Sequence, residues 1–303
     1  EETELLDGAG HELDMDMVRR GELSPVFFGS ALTNFGVEPF LKEFLNMTTS
    51  PLPREAEEGV VDPVSDEFSG FIFKIQANMN KAHRDRVAFL RICSGKFEKG
   101  MEVFHVREGK KIKLSQPTQL MAQDRSIVDE AYAGDIISIF DPGIFKIGDT
   151  LCTGKKVIHY QGIPTFAPEH FARVRQVDSL KRKQFIKGTQ EIAEEGAIQI
   201  FLEPGKSMEE VIVGVVGTLQ FDVLLYRLKS EYNIEVRMEM LSYELIRWIT
   251  NLPCELNELT LTSDTKVVED MDGNHLLLFT SDWNIDWALS HNKGLELEAF
   301  NRK

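Results

Sequence analysis

Cysteine is almost missing from this chain. Cys93, Cys152 and Cys254 are the only three in 303 residues, and no two form a C-x-x-C pair. A disulfide scaffold and a cysteine zinc site are thereby excluded, and the usage suits a reducing cytosol. Long apolar runs are missing as well: the longest strongly apolar stretch, 211–216, is far too short to span a bilayer. The chain opens on acidic residues rather than on a cationic, apolar leader. The seven histidines are scattered, with no two at metal-ligand spacing, and no serine or cysteine nucleophile motif is present. The acid pairs Glu194-Glu195 and Glu209-Glu210 read as ordinary surface charges at helix and loop ends. The acidic turn at 269–273 lacks the spaced ligands and terminal glutamate of a calcium loop. Neither a catalytic residue nor a metal ligand is expected from these patterns.

What is present is an acidic, well-mixed globular composition. Charged residues make up 27% and hydrophobic residues 42% of the chain, enough for two or three domains with real cores. The net charge of −15 is unevenly distributed. Residues 1–66 carry 4 basic and 15 acidic side chains, residues 67–162 carry 15 basic and 11 acidic, and residues 163–303 carry 15 basic and 23 acidic. The middle block alone is positive. An acidic body with one local cationic face suits docking at a specific place on RNA better than coating it.

Periodicity divides the chain in the same places. Within 1–50, the run Pro25-Val26-Phe27-Phe28 predicts a buried strand, Gly29 to Leu32 a turn, and Pro39, Phe40, Leu41, Phe44 and Leu45 one face of a helix. A lone strand and helix cannot bury both faces of a parallel sheet, so this piece reads as part of a larger α/β domain. Pro51 and Pro53 then stop the helix, and the acidic stretch 51–66 reads as an exposed linker. From 67 to 162, glycine turns recur at short intervals between short strands at 102–106, 111–114, 136–140 and 149–152, which predicts a small closed β-barrel. From 163 to 303 the period changes. A strand at 171–177, a helix at 179–195, strands at 197–202 and 210–216, a second helix, and a strand at 234–240 form two strand–helix–strand units, the pattern of a ferredoxin-like α+β sandwich. A hairpin over Asp272-Gly273 and a last helix carrying Trp283 and Trp287 follow.

The most informative stretch is 68–100. Phe71, Phe73 and Ile75 are expected on one face of a strand, with Ile72, Lys74 and Gln76 on the other. A second, apolar strand follows at 87–93. Between them lie Lys81, His83, Arg84 and Arg86 with one acid, Asp85, a cationic loop suited to a phosphate backbone. On spacing alone, a solvated hairpin tip is the stronger reading. The order Ile75-Gln76-Ala77-Asn78-Met79, then His83 to Phe89, then Ser94 to Gly100, resembles the second domain of translational GTPases and is similar to the bacterial release-factor-three family. The stretch Gly217 to Val236 is similar to the same family, where elongation factor G typically has Glu-Leu-His in place of Leu219-Gln220-Phe221.

That resemblance carries several implications. The chain would be the C-terminal two thirds of such a factor: the end of a GTPase domain (1–50), the linker (51–66), the β-barrel (67–162) and the third, α+β domain (163–303). Ser30, Ala31 and Leu32 would be the guanine-base loop. Lys81, His83, Arg84 and Arg86, with Lys181, Arg182 and Lys183 at the start of the 179–195 helix, would meet the ribosome; for the helix cations, a solvated face is the equal alternative. The complete protein would bind GTP or GDP with Mg2+, act at the small ribosomal subunit with codon-recognising release factors, and work in the cytoplasm without a membrane. No G-x-x-x-x-G-K-[ST] phosphate loop occurs, so this chain by itself is not expected to bind or hydrolyse GTP. A piece of an elongation-factor-G-like GTPase and a stand-alone RNA-binding barrel are the rival readings.

Overall fold

The structure, a computed structural model, describes residues 8, 10, 13–77, 86–114, 118–121, 124–154 and 156–299. It falls into two compact units, Glu1–Pro53 and Arg54–Lys303.

In the first unit, α1 (Met15–Arg20) is capped by Asp14, whose carboxylate accepts from the Asp16 and Met17 amides, and it ends on left-handed Gly21. The strand expected at Val26–Phe28 does not form. The only pairing there is a single bridge between Ser30 and Phe35, and Phe28 is 86% exposed. An apolar run becomes a strand only where a neighbour supplies a ladder, and no described residue of this unit does so. The predicted helix does form, as α2 (Val37–Met47), with Phe27 and Phe44 packed against Phe40. None of its residues is buried.

The second unit opens earlier than the sequence suggests. The acidic stretch read as a linker contains a hairpin, β1 (Arg54–Ala56) and β2 (Gly59–Val61). Ala56 bridges to Tyr160, and the Arg54 guanidinium lies 4.1 Å from the Phe71 ring centroid. Its few apolar side chains, Ala56 and Val61, cover one face of the sheet that follows.

That sheet is built from β3 (Ser69–Ala77), β4 (Arg86–Ser94), β5 (Lys96–Glu98), β6 (Glu102–His105), β7 (Lys110–Lys113), β8 (Thr118–Met121), β9 (Asp124–Ile127), β10 (Glu130–Tyr132), β11 (Ile136–Phe140) and β12 (Thr150–Cys152). Eight strands form one antiparallel ladder in the order β7-β6-β12-β3-β4-β11-β8-β9, and β5 pairs separately with β10. Among the described residues the ladder is a half-barrel running from β7 to β9, compatible with the barrel expected, and Phe97 of β5 and Ala131 of β10 help to fill its core. The alternation read along β3 breaks. Ile72 pairs with Leu90 and Lys74 with Phe89, so Phe73 is the extra residue of a β-bulge. The bulge lets Ile72 and Ile75, three apart, enter the same core, while Phe71 and Phe73 pack on the opposite face with Tyr160 and Phe104. Gly95, at φ +68°, makes the turn into β5; a Cβ there would lie 2.7 Å from the Glu67 carbonyl.

The remaining strands are β13 (His170–Gln176), β14 (Gln199–Phe201), β15 (Glu210–Val215), β16 (Val236–Leu241), β17 (Leu245–Asn251), β18 (Thr265–Glu269), β19 (His275–Phe279) and β20 (Glu296–Ala299); the helices are α3 (Arg182–Glu194), α4 (Leu219–Tyr232) and α5 (Asp282–His291). Strands β13 to β16 pair antiparallel in the order β14-β15-β13-β16, with α3 and α4 as the crossovers, which is the ferredoxin-like arrangement. Gly188 lets the two helices meet: a Cβ there would stand 2.9 Å from the Tyr232 ring. Both faces of this sheet are covered, which explains its apolar runs. Ala172, Val174, Val211, Val213 and Val215 face the helices, while Phe171 and Ile212 face a second sheet. That second sheet, β18-β19-β17-β20, splits β19 the same way: Leu276 and Leu278 inward, Leu277 and Phe279 against α5. Reciprocal amide bonds between Leu202 and Glu269, 2.8 and 2.7 Å, tie the two sheets at one corner. The sequence expectation covers the first sheet and its helices, the β18–β19 hairpin and α5, but not β17 and β20.

Candidate nucleic-acid interface

The cationic candidates fall into three groups. Lys81, His83 and Arg84 lie outside the described residues. Arg86, the fourth member of the predicted loop, is the first residue of β4 and pairs with Ala77, the last residue of β3.

Its side chain is turned inward. The guanidinium Nε donates to Asp141 Oδ2 at 2.5 Å, a second nitrogen meets Glu194, and a third donates to the Phe145 carbonyl at 3.1 Å. Asp141 is fully enclosed and also accepts from the Gly143, Ile144 and Phe145 amides, so one aspartate fixes both the turn after β11 and the start of β4. Arg86, expected from the sequence in the cationic loop, thus directs three of its five N–H donors to two carboxylates and a carbonyl. Burial alone would make its charge harder to hold, but Glu194 and Asp141 outweigh that and push its pKa up.

Glu194 and Glu195, read from sequence as surface charges, both meet the β3–β4 pair: Glu194 meets Arg86 and Glu195 meets Ala77. Glu195 accepts from the Ala77 amide at 2.8 Å and takes a two-pronged ion pair from Arg227, at 2.6 and 3.0 Å. Arg227 also holds Glu231, at 2.8 and 3.0 Å. A signal for this was present: two acids closing a helix just before Gly196 sit at the negative end of its dipole, so they need cations from elsewhere.

A second inward network steadies the same side of the half-barrel. Buried His105 meets Asp149 at 2.8 Å, and Arg107 grips Asp149 at 2.6 and 2.9 Å while donating to the Ile144 carbonyl. Burial opposes the Asp149 charge, yet the bonds from His105, Arg107 and the Lys146 amide hold its pKa down at about 2.

At the start of α3 the three cations differ. Lys181 donates to the Asn233 carbonyl, Arg182 pairs with Glu209 at 2.9 Å, and Lys183 is exposed. In the first unit, Ser30, Ala31 and Leu32 form a turn closed by the Ser30 amide on the Phe35 carbonyl at 2.9 Å, with Leu32 95% exposed. One further group escaped the sequence reading. The ligand-type atoms of Glu57, Glu58 and His159 lie within 4.8 Å of one another, and Glu58 spends its carboxylate on the His159 amide and ring. No helix among the described residues is long and apolar enough to cross a membrane.

Known proteins match this organisation. Residues 160–289 match the family described as class II release factor RF3, C-terminal domain, and residues 67–154 match elongation factor G domain 2. Peptide chain release factor 3 of Symbiobacterium thermophilum is 54% identical over 299 residues, 99% of this chain and 56% of that protein. Those of Gloeobacter violaceus and Gloeothece citriformis are 48% and 47% identical, over 98% and 99% of this chain and 56% and 55% of theirs. Over nearly its whole length the chain is similar to these peptide chain release factors 3. It spans a little over half the length of these relatives. The fold is shared with a crystal structure of ttk003000868 from Thermus thermophilus, with a TM-score of 0.57 at 19% identity, covering 84% of this chain and 37% of that one.

The half-barrel strands β3 to β12 fall within the elongation factor G domain 2 match, and the ferredoxin-like sheet, β17 to β19 and most of α5 fall within the RF3 C-terminal domain match, which ends before β20.

Proposed function

We propose that this chain is the ribosome-anchoring part of a release factor that, as a complete GTPase, promotes GTP-dependent dissociation of codon-recognising release factors from the ribosome in translation termination. The observation that carries this reading is the 54% identity with a peptide chain release factor 3 across 99% of the chain. The match of 160–289 to the RF3 C-terminal domain favours it over an elongation-factor-G-like piece. The complete protein would use GTP or GDP with Mg2+ and act in the cytoplasm at the small ribosomal subunit. Residues 1–50 are the C-terminal part of its GTPase domain in this reading. The uncovered apolar side chains Phe28, Leu41, Phe44 and Leu45 support that assignment, because such a face belongs against further structure. Guanine would meet the backbone of the Ser30–Leu32 turn, chiefly Ala31 and Leu32, since the Ser30 amide already serves Phe35. The half-barrel and third domain are the anchor against which the nucleotide-dependent part moves, with Lys81, His83 and Arg84 toward RNA and Lys183 the most available cation of α3.

Co-sedimentation of the full chain with bacterial ribosomes and with ribosome-free RNA, across a salt series, tests the reading. Binding to ribosomes alone, weakening with salt, is expected. In the variant Lys81→Ala/Arg84→Ala the log–log salt slope should fall by about one per lost phosphate contact. Equal binding to free RNA would point to a general RNA module, and an unchanged slope would reject phosphate contact by these two side chains.

A further inference from the structure

Helix α5 buries one face and leaves an aromatic, acidic one outside. Asn284, Ile285 and Ala288 are buried, the last two in a cluster with Leu277, Phe279 and Leu295. At helical spacing the opposite face falls to Trp283, Asp286 and Ser290, with Asp282 and Leu289 beside them. All five are exposed, and the large Trp283 ring is 63% exposed. Trp287, one turn on, stacks on His291 at 3.9 Å, so its ring is already covered on one side. Trp283 has no ring contact and no cation over it among the described residues. A strap at 259–262 runs beside α5 in the opposite direction. Thr260 and Asn292 exchange bonds of 2.8 and 2.7 Å, and Asn284 donates to Thr262 at 3.0 Å. Exposed Glu258 and Asp264 flank that strap. Elsewhere this domain pairs its acids, Glu203 with Lys206 and Lys266, Glu195 and Glu231 with Arg227. Glu258, Asp264, Asp282 and Asp286 make no ion pair with a described residue. The one cation on these segments, Lys293, lies past the C-terminal end of α5.

The half-barrel shows what such a combination takes. Tyr132 is a half-exposed ring beside Glu130, and Lys96 Nζ lies 5.9 Å from the ring centroid while pairing with Glu130 at 2.7 Å. Ring and carboxylate there share one cation from the same chain. An indole attracts a cation more strongly than a phenol does. A guanidinium suits it best, because its plane stacks on the ring while its fork reaches a carboxylate. Phosphate is repelled by an acidic face, so the complement is a protein and not RNA. We propose that the outer face of α5 is a docking surface for an arginine-bearing segment of a basic protein. A guanidinium lies on the Trp283 indole and pairs with Asp286 or Asp282, while Asp264 and Glu258 attract further cations. One helix face gives a small, transient interface, with its energy centred on one aromatic anchor.

The test is titration of the full chain with a labelled arginine-rich peptide at physiological salt. Binding is read by anisotropy and by the indole N–H signals of the three tryptophans. The Trp283 signal should move most, and that of Trp248, packed in the cluster between the two sheets, should stay. Trp283→Ala should weaken binding about three- to tenfold, and Asp286→Asn about two- to threefold. Trp283 supports no core, so its alanine variant keeps the fold, and Trp283→Phe should recover part of the binding. A lysine-rich peptide of the same length should bind more weakly than the arginine one. Asp222→Asn, which removes the same charge from an exposed position on α4, should leave binding unchanged. Wild-type binding by Trp283→Ala, or equal losses in Asp222→Asn and Asp286→Asn, would reduce the attraction to net charge and overturn the docking surface. A short RNA that moves the Trp283 signal as far as the peptide does would overturn the protein partner.

Discussion

Helices α2 and α3 carry nearly the same message in sequence and meet opposite fates. Each has a phenylalanine and aliphatic residues at helical spacing. In α2, Phe40, Leu41, Phe44 and Leu45 are between 38% and 73% exposed, while in α3 Phe185 and Ile192 are fully buried beneath α4 and against the sheet. Periodicity chooses which face of a helix will be apolar; only a partner buries it, and most helical stability comes from that burial. The first unit should therefore contribute little to the unfolding free energy of this chain, and the second nearly all of it.

The sharpest way to break that comparison is Phe185→Ala. It removes a fully buried ring from the core cluster that also holds Ile192, Leu224 and Leu228 and should destabilise the second unit by about 3–5 kcal/mol. A urea midpoint that barely moves would show that α3 is not the buried helix described here. Next in size is Asp141→Ala, which strips Arg86 of its enclosed partner and leaves the Gly143, Ile144 and Phe145 amides without their acceptor. About 2–3 kcal/mol is expected, below the loss for a wholly broken buried pair because Glu194 still faces the guanidinium. If this loss were under about 0.5 kcal/mol, a surface ion pair would describe Arg86 better.

These two sites also mark what the sequence can and cannot disclose. Phe185 was legible because helix burial follows a period, and the ferredoxin-like order followed from periods alone. The bulge at Phe73 was not, because strict alternation has no sign for an extra residue. Strand β20 was missed for a related reason. Glu296–Ala299 has little intrinsic strand preference and is extended because Leu245–Asn251 offers it a ladder. Of the candidate interface, the cationic composition near 81–86 could be read, but the inward turn of Arg86 could not. Its partners, Asp141, Glu194 and the Phe145 carbonyl, are between 55 and 108 residues away. Only the misplaced acids at the end of α3 hinted that a cation had to come from elsewhere.

Acid titration probes the half-barrel's other locked aspartate. Asp149 has a pKa of about 2 when folded against an ordinary 3.8, so the unfolded chain binds its proton more readily. Its contribution is complete above about pH 4 and is lost as the pH falls through about 2, on the order of 1–2 kcal/mol after allowing for solvent screening. Asp149→Asn should lower stability at neutral pH and flatten the fall between pH 4 and 2. Parallel curves for variant and wild type across that window would mean that His105 and Arg107 do not hold the carboxylate charged.

The smallest effect expected is the one that tests the opening contrast most directly. Phe44→Ala in α2 makes the same chemical change as Phe185→Ala in α3, at a ring 47% exposed instead of 0%. Its one described ring contact is Phe40, at 5.9 Å, and a substitution at such a surface should cost no more than about 0.5 kcal/mol. Since the ring gains nothing from a core, losing it also relieves an exposed apolar patch, and the variant should stay more soluble than the parent. A loss approaching that of Phe185→Ala would mean that α2 is covered in solution, by a second copy or by another part of the protein, and concentration dependence of the midpoint would separate those two.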